Sequence, residues 1–288
     1  MDAIRRSVHS GDVTDDALRP TPTGSPMILD ADRLRSLGAR AAADYAAASP
    51  FPHAVLPDLI DHDVVRAVAA EVDELGRAGL SRPADHRYQT KSAVGMEWEW
   101  GDLTRQLMHE LNGGVFVRFL ESLTGIDGLV ADPRYRGAGV HEIPPGGALK
   151  VHADFSRHPD LPLRRRLNTL VYLNEDWDPG WGGNLELWDA DMNECVETVV
   201  PELGTVVVFS TTTTSFHGHP DPLDCPPDRC RRSLATYYYT VPDELTAVTG
   251  DGGGRVWKQR PGGSDRTLLD WAPPVLVDGV RRLRARRR

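Results

Sequence analysis

The feature that most restricts the fold of this chain is a change in sequence character near Gly125. Beyond that residue, short runs rich in β-branched and aromatic residues recur between turn-forming Gly, Pro and Asp. The runs are GVHEIPP, ALKVHAD, LNTLVYLN, NLELWD, CVETVV, GTVVVFS and RSLATYYYT. Many short strands separated by turns predict a β-sandwich or a barrel.

The segment before Gly125 has helical periodicity instead. An Ala-rich stretch begins at Asp30 and stops at Pro50, and a second stretch begins with Asp61, a residue suited to a helix N-cap. The second stretch places its apolar side chains on one face, namely Val65, Val68, Val72 and Leu75. A third stretch, DLTRQLMHELNGGVFVRFLESLTG, is interrupted by a glycine pair. Helices followed by strands predict a mainly β protein whose N-terminal helices pack on one sheet.

These changes predict four parts: residues 1–26, 27–126, 127–241 and 242–288. The first part mixes Ser, Thr, Asp, Pro and Gly without hydrophobic periodicity, so we expect a disordered leader. The second is the helical N-terminal part of the same domain as the third, the β core. The fourth is a C-terminal extension with the basic tail RRLRARRR, and we expect it to pack back through Trp257 and Trp271 along an irregular path.

Charge and composition restrict the partners. Forty-two acidic against thirty-three basic residues give a net charge of −9, which disfavours nucleic acid because phosphate binding requires accumulated Lys and Arg. No apolar run reaches the ~18–20 residues that span a bilayer, and the N-terminus has no apolar signal core, so we expect a cytoplasmic protein without a membrane partner. Cys225 and Cys230 flank a short loop, but a structural zinc site needs four ligands.

A histidine and an aspartate stand two positions apart in LKVHADFSRH, at the end of an apolar run that follows the turn sequence PPGG. This pair, His152 and Asp154, is followed by His217 at the end of another apolar run. Two imidazoles and one carboxylate from separate strands can form the facial triad of a non-haem iron(II) site, which leaves positions open for oxygen chemistry. We therefore predict a metal site of His152, Asp154 and His217, with His219 in a loop or an outer position.

Two further runs carry groups suited to a pocket. RRSLATYYYT begins with Arg231 and Arg232, and the fork of a buried guanidinium suits bidentate binding of a carboxylate. In LNTLVYLN, the polar residues Asn168 and Tyr172 share one strand face with Leu170. The other face is apolar enough to lie under the helices; it carries Leu167, Thr169, Val171 and Leu173.

The motifs VHADF, LVYLNEDWDPGWGGNLELWD, SFHGHP and RRSLATYYYT, in this order, resemble the iron(II)- and 2-oxoglutarate-dependent dioxygenases, specifically the prolyl 4-hydroxylase-like branch. The resemblance covers roughly residues 127–241, and SPFPHAVLPDLIDHDVV is similar to an earlier segment of the same branch. It implies a double-stranded β-helix, or jelly roll, as the fold of the catalytic core.

The resemblance also implies the roles of individual residues. His152, Asp154 and His217 would bind Fe(II) and act in catalysis. Arg231 would bind the distal carboxylate of 2-oxoglutarate, with Tyr172 donating to it from a facing strand. The strand pattern adds Ser233 and the polar Asn168 as further cofactor-binding residues. Strand alternation agrees with Arg231, because that arginine shares its face with Ser233. One departure is His141, which stands in GVHEIPPGG where relatives often carry a tyrosine.

The implied activity is a hydroxylase that consumes dioxygen and 2-oxoglutarate and releases succinate and CO2, with ascorbate as an optional reductant. An Arg- and Ala-rich composition is typical of a high-GC bacterium, which favours a small metabolite, an amino acid or a natural-product intermediate as the substrate. A prolyl hydroxylase acting on a protein or peptide is the alternative. The presence of Asp154 argues against halogenation, which needs the carboxylate position vacated for chloride.

Two other classes remain open from the residues alone. A zinc enzyme could use the same three ligands to activate water, although this reading leaves Arg231 and Tyr172 without a role. A non-catalytic jelly-roll binding module would not need a complete triad. Release of succinate with added iron(II) and 2-oxoglutarate distinguishes the three classes.

Overall fold

A computed structural model describes residues 27–83, 92–94, 97–242, 256–258 and 260. The predicted leader at residues 1–26, Trp271 and the basic tail lie outside the described residues. Among the described residues, no helix is both long enough and apolar enough to cross a membrane.

Four helices precede the β core, as predicted. They are α1 (Ala31–Ala47), α2 (His62–Arg77), α3 (Asp102–Leu111) and α4 (Gly114–Thr124). Asp30 caps α1 by accepting a hydrogen bond from the Arg33 amide, and Asp61 caps α2 through the Asp63 amide. The first glycine of the pair, Gly113, lies between α3 and α4 as the N-cap of α4, and Gly125, with a left-handed φ of 68°, is the C-cap of α4.

The strands form two sheets whose neighbouring strands run antiparallel. Their bounds are β1 (His53–Leu56), β2 (Ser81–Pro83), β3 (Ser92–Val94), β4 (Val130–Ala131), β5 (Gly139–Ile143), β6 (Leu149–Ala153), β7 (Arg164–Tyr172), β8 (Leu185–Trp188), β9 (Cys195–Val199), β10 (Val206–Ser210), β11 (Phe216–His219), β12 (Arg231–Thr240) and β13 (Val256–Trp257). The larger sheet has the order β1-β10-β7-β12-β5-β3-β2, with β4 also on β12, and the smaller has the order β13-β6-β11-β8-β9. This arrangement is a jelly roll.

The helices cover one face of the larger sheet. Alternate residues of β7, β10 and β12 join the helices in one apolar core; they include Leu167, Val171, Val206, Val208, Leu234 and Tyr238. The opposite face carries Tyr172, which packs with Leu187 of the smaller sheet and with Phe209. The predicted division of β7 into a helix-covered face and an inner face is therefore confirmed.

Six strands were not among the predicted runs: β1, β2 and β3, which lie among the helices along the chain and join the larger sheet, and β4, β11 and β13. Two of these six lie next to the candidate site. The first, β11, lies between β6 and β8, and all four of its residues are buried. The second, β13, belongs to the C-terminal extension and pairs with the outer edge of β6. The expected irregular path of the extension is therefore wrong at this point, whereas the expectation that Trp257 packs back on the domain is confirmed.

Candidate active site

Three buried side chains meet where β6 and β11 lie side by side. His152 on β6 is the direct antiparallel partner of His217 on β11, and Asp154 follows one residue after the end of β6. Each of the three offers a ligand atom, and these atoms all lie within 4.8 Å of one another. The two imidazole centroids are 4.6 Å apart. Strand pairing thus places two nitrogens and a carboxylate within reach of one metal ion.

The proton of each imidazole is fixed by the backbone two residues earlier. The Nδ1 atom of His152 lies 2.9 Å from the Lys150 carbonyl oxygen, and that of His217 lies 3.0 Å from the Ser215 carbonyl oxygen. A carbonyl oxygen only accepts, so each neutral ring carries its proton on Nδ1. The Nε2 lone pairs are therefore left for a metal, and both Nε2 atoms face Asp154, at 3.5 Å and 3.6 Å from its oxygens.

Two side chains of β7 hold the Asp154 carboxylate. Its Oδ2 atom accepts a 2.7 Å hydrogen bond from the Asn168 amide and pairs with Nη2 of Arg165 at 2.9 Å. Arg165 in turn donates from Nε and Nη2 to the Asn168 carbonyl oxygen, at 2.8 Å and 2.6 Å. Because Oδ2 receives both donors, Oδ1 is the oxygen with coordination capacity left over.

The protonation states suit a cation. Burial alone would raise the pKa of the Asp154 carboxyl, but the Arg165 charge and the two imidazoles hold this pKa well below its usual value. Burial, with the neighbouring His152, lowers the pKa of His217 to about 3. The site therefore presents an ionised carboxylate and a neutral His217 imidazole near neutral pH.

Arg165 is a site residue that the sequence pattern does not predict. Three consecutive arginines, as in LPLRRRLN, are typical of a solvated face, yet the Arg165 side chain is fully buried and its Cζ atom lies 3.5 Å from the Tyr237 ring centroid. A register shift explains the difference, since Tyr238 pairs with Leu167 whereas the next residue, Tyr239, pairs with Arg165. The residue skipped on β7, Arg166, forms a bulge that reverses the alternation.

Arg231 lies on the inner face of β12. Its Nε atom donates to the Gly183 carbonyl oxygen at 2.6 Å, and its Nη2 donates to the Tyr172 hydroxyl at 3.2 Å. A Cβ atom on Gly183 would stand 2.9 Å from Cδ of Arg231 and 2.6 Å from Leu223, so this position has no room for a side chain. Within the described part of the chain, no carboxylate forms an ion pair with Arg231. Burial lowers the pKa of the Arg231 guanidinium from its ordinary value.

The neighbouring Arg232 points to the opposite face. It forms ion pairs with Glu142 on β5, at 2.8 Å, and with Asp73 on α2. Its backbone amide donates to the Asn174 side chain at 2.6 Å. Arg232 therefore joins the sheet to the helical layer, and Arg231 alone of the two faces the interior.

The remaining predicted residues occupy different surroundings. Ser233 is buried on β12 directly opposite Tyr172, on the same face as Arg231. Asn168 shares that face but uses its amide on Asp154 and Arg165, as described above. His219 is buried opposite Leu149 and is not part of the metal-ligand group formed by the described residues.

These two sets of residues fit a metal ion and an anion. Two imidazole nitrogens and one carboxylate are the donor set of non-haem iron(II) sites. A buried guanidinium without a carboxylate partner calls for an anionic ligand. The sets belong to one interior, because Tyr172 packs with Leu187 and Phe209, and both of these adjoin His217.

Comparison with known proteins agrees with this geometry. Residues 138–239 match the family model described as the 2OG-Fe(II) oxygenase superfamily. This region of the chain is therefore similar in sequence to that superfamily. The oxygenase core spans β5 to nearly the end of β12, and so contains the triad, Arg165 and Arg231. The enzymes of this family use Fe(II), 2-oxoglutarate and dioxygen, and the chain is accordingly a 2-oxoglutarate-dependent oxygenase.

Solved structures with a similar fold include three prolyl hydroxylases. One from Pseudomonas putida is 22% identical, with 71% of this chain and 99% of that chain covered and a TM-score of 0.51. One from Trichoplax adhaerens, in complex with a hypoxia inducible factor peptide fragment, is 14% identical, with 76% of this chain and 96% of that chain covered and a TM-score of 0.55. Prolyl 4-hydroxylases from Phytophthora capsici are represented by a structure that is 17% identical, with 76% of this chain and 68% of that chain covered and a TM-score of 0.51. No curated protein sequence matches. At these identities the likeness establishes the fold.

Proposed function

We propose that this oxygenase hydroxylates an unactivated C–H bond of a small metabolite, an amino acid or a natural-product intermediate. The observation that carries the proposal is the buried Arg231, which has no acidic partner among the described residues and lies in the same interior as the His152, Asp154 and His217 group. The histidine and aspartate group suits a metal ion, and Arg231 suits a dicarboxylic cosubstrate. A zinc hydrolase or a simple binding module leaves Arg231 without a function.

In this proposal His152, Asp154 and His217 bind Fe(II) through Nε2, a carboxylate oxygen and Nε2. The backbone carbonyls behind the imidazoles hold their protons on Nδ1 and keep Nε2 available. Arg165 and Asn168 hold Asp154 in place by engaging Oδ2. The chain thus fixes the orientation and charge of each donor before the metal arrives, which lowers the cost of binding.

Arg231 binds the distal carboxylate of 2-oxoglutarate, with the hydroxyls of Tyr172 and Ser233 as further donors. The hydrogen bond from Arg231 to the Tyr172 hydroxyl holds the two groups close enough to contact the same carboxylate. Asn168 is not assigned to 2-oxoglutarate, because its amide already serves Asp154 and Arg165. Bound iron(II) and 2-oxoglutarate supply the oxidising chemistry, while the protein positions the reactants and excludes water.

Two side chains at the paired ends of β7 and β12 offer donors for a substrate. Nη1 of Arg165 and the hydroxyl of Tyr239 are buried and have no hydrogen-bond partner within the described residues. Buried polar atoms of this kind favour a substrate with an acceptor group near the reacting carbon. A prolyl residue of a peptide also carries such a group in its carbonyl and remains the alternative substrate, to be separated by the screen described below.

The first test measures succinate release from 2-oxoglutarate with Fe(II) and ascorbate, on the wild type and on two histidine variants. His217→Ala should abolish turnover and weaken metal binding, whereas His219→Ala should retain both. A reversed pattern would contradict the ligand assignment. Metal-dependent hydrolysis without any 2-oxoglutarate requirement would support the zinc enzyme instead.

The substrate class is tested by mass spectrometry. The enzyme is incubated with mixtures of amino acids and small biosynthetic intermediates, and in parallel with proline-containing peptides. A product heavier by one oxygen atom in the first mixture alone supports the proposal, whereas one in the peptide mixture alone supports the alternative.

A further inference from the structure

A strand from outside the oxygenase core lies against the metal site. β13 comes seventeen residues after the family match ends at residue 239, and it extends the smaller sheet at β6. Trp257 is the direct antiparallel partner of His152, so both side chains project from the same face of the sheet. The indole and imidazole centroids are 4.7 Å apart, with 32° between their planes. Trp257 of β13 therefore contacts His152, which is a proposed iron ligand.

The residues after Trp257 hold this strand in place. The Lys258 amide donates to the Val151 carbonyl oxygen at 3.1 Å, and the Lys258 ammonium lies 4.8 Å from the Phe216 ring centroid. The Arg260 guanidinium donates to both carboxylate oxygens of Asp221, at 3.0 Å and 2.6 Å. β13 is therefore fixed both to β6 and to the region around β11, the two strands that carry the histidines.

The two histidines are supported in parallel ways. His217 has the Ser215 carbonyl behind Nδ1 and the Phe209 ring 4.7 Å away, edge to face at 61°. His152 has the Lys150 carbonyl behind Nδ1 and the Trp257 ring against its face. A carbonyl fixes the tautomer, and a neighbouring ring restricts rotation of the imidazole about its Cβ–Cγ bond. The ring for His217 comes from the core strand β10, but the ring for His152 comes from the C-terminal extension.

We propose that Trp257 is a positioning residue for His152, and that β13 is a functional part of the metal centre. The inference rests on the proposed function, because it takes His152 to be an iron ligand. Trp257 covers the imidazole face, keeps Nε2 directed at Asp154, and limits the access of water to that side of the ring. Residues that orient a metal ligand from behind typically change metal affinity about 10–100-fold when they are replaced.

The experiment measures Mn(II) affinity by calorimetry on the full chain, with Mn(II) as a redox-stable substitute for Fe(II). Trp257→Ala should weaken binding by about 10–100-fold, and Trp257→Phe, which keeps an aromatic face, should recover most of the loss. The matched control is Val256→Ala on the same strand, since Val256 is exposed and projects to the other face. Thermal unfolding of each metal-free variant shows whether the fold is retained.

A second readout is independent of turnover and of affinity. Cobalt(II) quenches indole fluorescence over short distances, and the chain has seven tryptophans. Saturating Co(II) should quench a component in the wild type and in Val256→Ala that is missing from Trp257→Phe. Equal quenching in all three proteins would place Trp257 away from the metal and overturn the inference.

His152→Ala separates the two proposals. If it abolishes Mn(II) binding while Trp257→Ala binds as tightly as Val256→Ala, the inference on Trp257 fails and the metal site stands. If His152→Ala itself binds Mn(II) normally, the proposed function fails. Loss of affinity in Trp257→Ala with recovery in Trp257→Phe supports the inference, whereas equal losses in Trp257→Phe and Trp257→Ala count against ring support.

Discussion

The two adjacent arginines of β12 allow a test in which each variant is the control for the other. Arg231 faces the interior without an acidic partner among the described residues, and Arg232 pairs with Glu142 and Asp73 on the outer face. Arg231→Met should therefore lose 2-oxoglutarate binding but keep stability. Arg232→Met should lose stability but keep 2-oxoglutarate binding. Methionine retains the aliphatic volume, so neither change opens a large cavity.

The expected sizes follow from burial. Removing one partner of a buried charge pair costs about 3–5 kcal/mol, so Arg231→Met should weaken 2-oxoglutarate binding by about two to three and a half orders of magnitude. The metal-free, ligand-free variant should be as stable as the wild type or more so, because replacing a buried charge by an apolar side chain is often neutral or stabilising. Arg232→Met leaves Glu142 largely buried without its cation, which should cost about 1.5–3 kcal/mol of unfolding free energy.

The assay is thermal and urea unfolding with Mn(II), with and without 2-oxoglutarate. At a ligand concentration of about one hundred times the wild-type Kd, binding should stabilise the wild type by about 2.7 kcal/mol. A variant with a Kd a hundredfold higher should gain only about 0.4 kcal/mol at the same concentration. Stabilisation of Arg231→Met equal to that of the wild type, with loss in Arg232→Met, would refute the assignment of the inner face.

Two further predictions concern the supports of the site. Arg165→Met should destabilise the metal-free protein by about 3–5 kcal/mol in urea unfolding, because it leaves Asp154 buried without its cation. Arg165→Lys should recover little of this stability, since an ammonium lacks the planar fork of a guanidinium. Full recovery in Arg165→Lys would show that the positive charge alone is sufficient. Gly183→Ala should raise the 2-oxoglutarate KM by displacing Arg231, whereas Gly182→Ala, which has the same φ of 75° but no atom closer than 3.9 Å to its new Cβ, should not. Equal effects of the two alanines would point to backbone strain rather than crowding.

The parts of the structure that could be predicted from the sequence depend on local pattern. The helices follow from apolar spacing, Asp caps and the glycine pair, all of which act within a few residues. The opposite orientations of Arg231 and Arg232 follow from strand alternation, because β12 pairs with β5 and β7 without a register shift from Arg231 to Ala235. β11 was missed because FHGH has no β-branched residue, and its burial comes from the strands on either side.

Arg165 shows where alternation fails. Counting along β7 places Arg165 on the face of Leu167, under the helices, and only the bulge at Arg166 turns it toward Asp154. A bulge depends on how two distant strands meet, here β7 and the Tyr238–Tyr239 portion of β12, and no single run of letters specifies it. The presence of three consecutive arginines at the start of an apolar strand was the available signal. It did not indicate which of the three is buried.

The groups that hold the proposed ligands in place lie at different distances from those ligands along the chain. Each histidine takes its tautomer from the carbonyl two residues earlier, so this part is built into the strand itself. Asp154 depends on residues eleven and fourteen positions later, and the face of His152 depends on Trp257, more than one hundred positions later. The local supports form whenever the strands form, whereas the distant ones form only when the whole jelly roll and β13 have assembled. Metal affinity should therefore respond to substitutions in the C-terminal strand even where the core sheet stays folded.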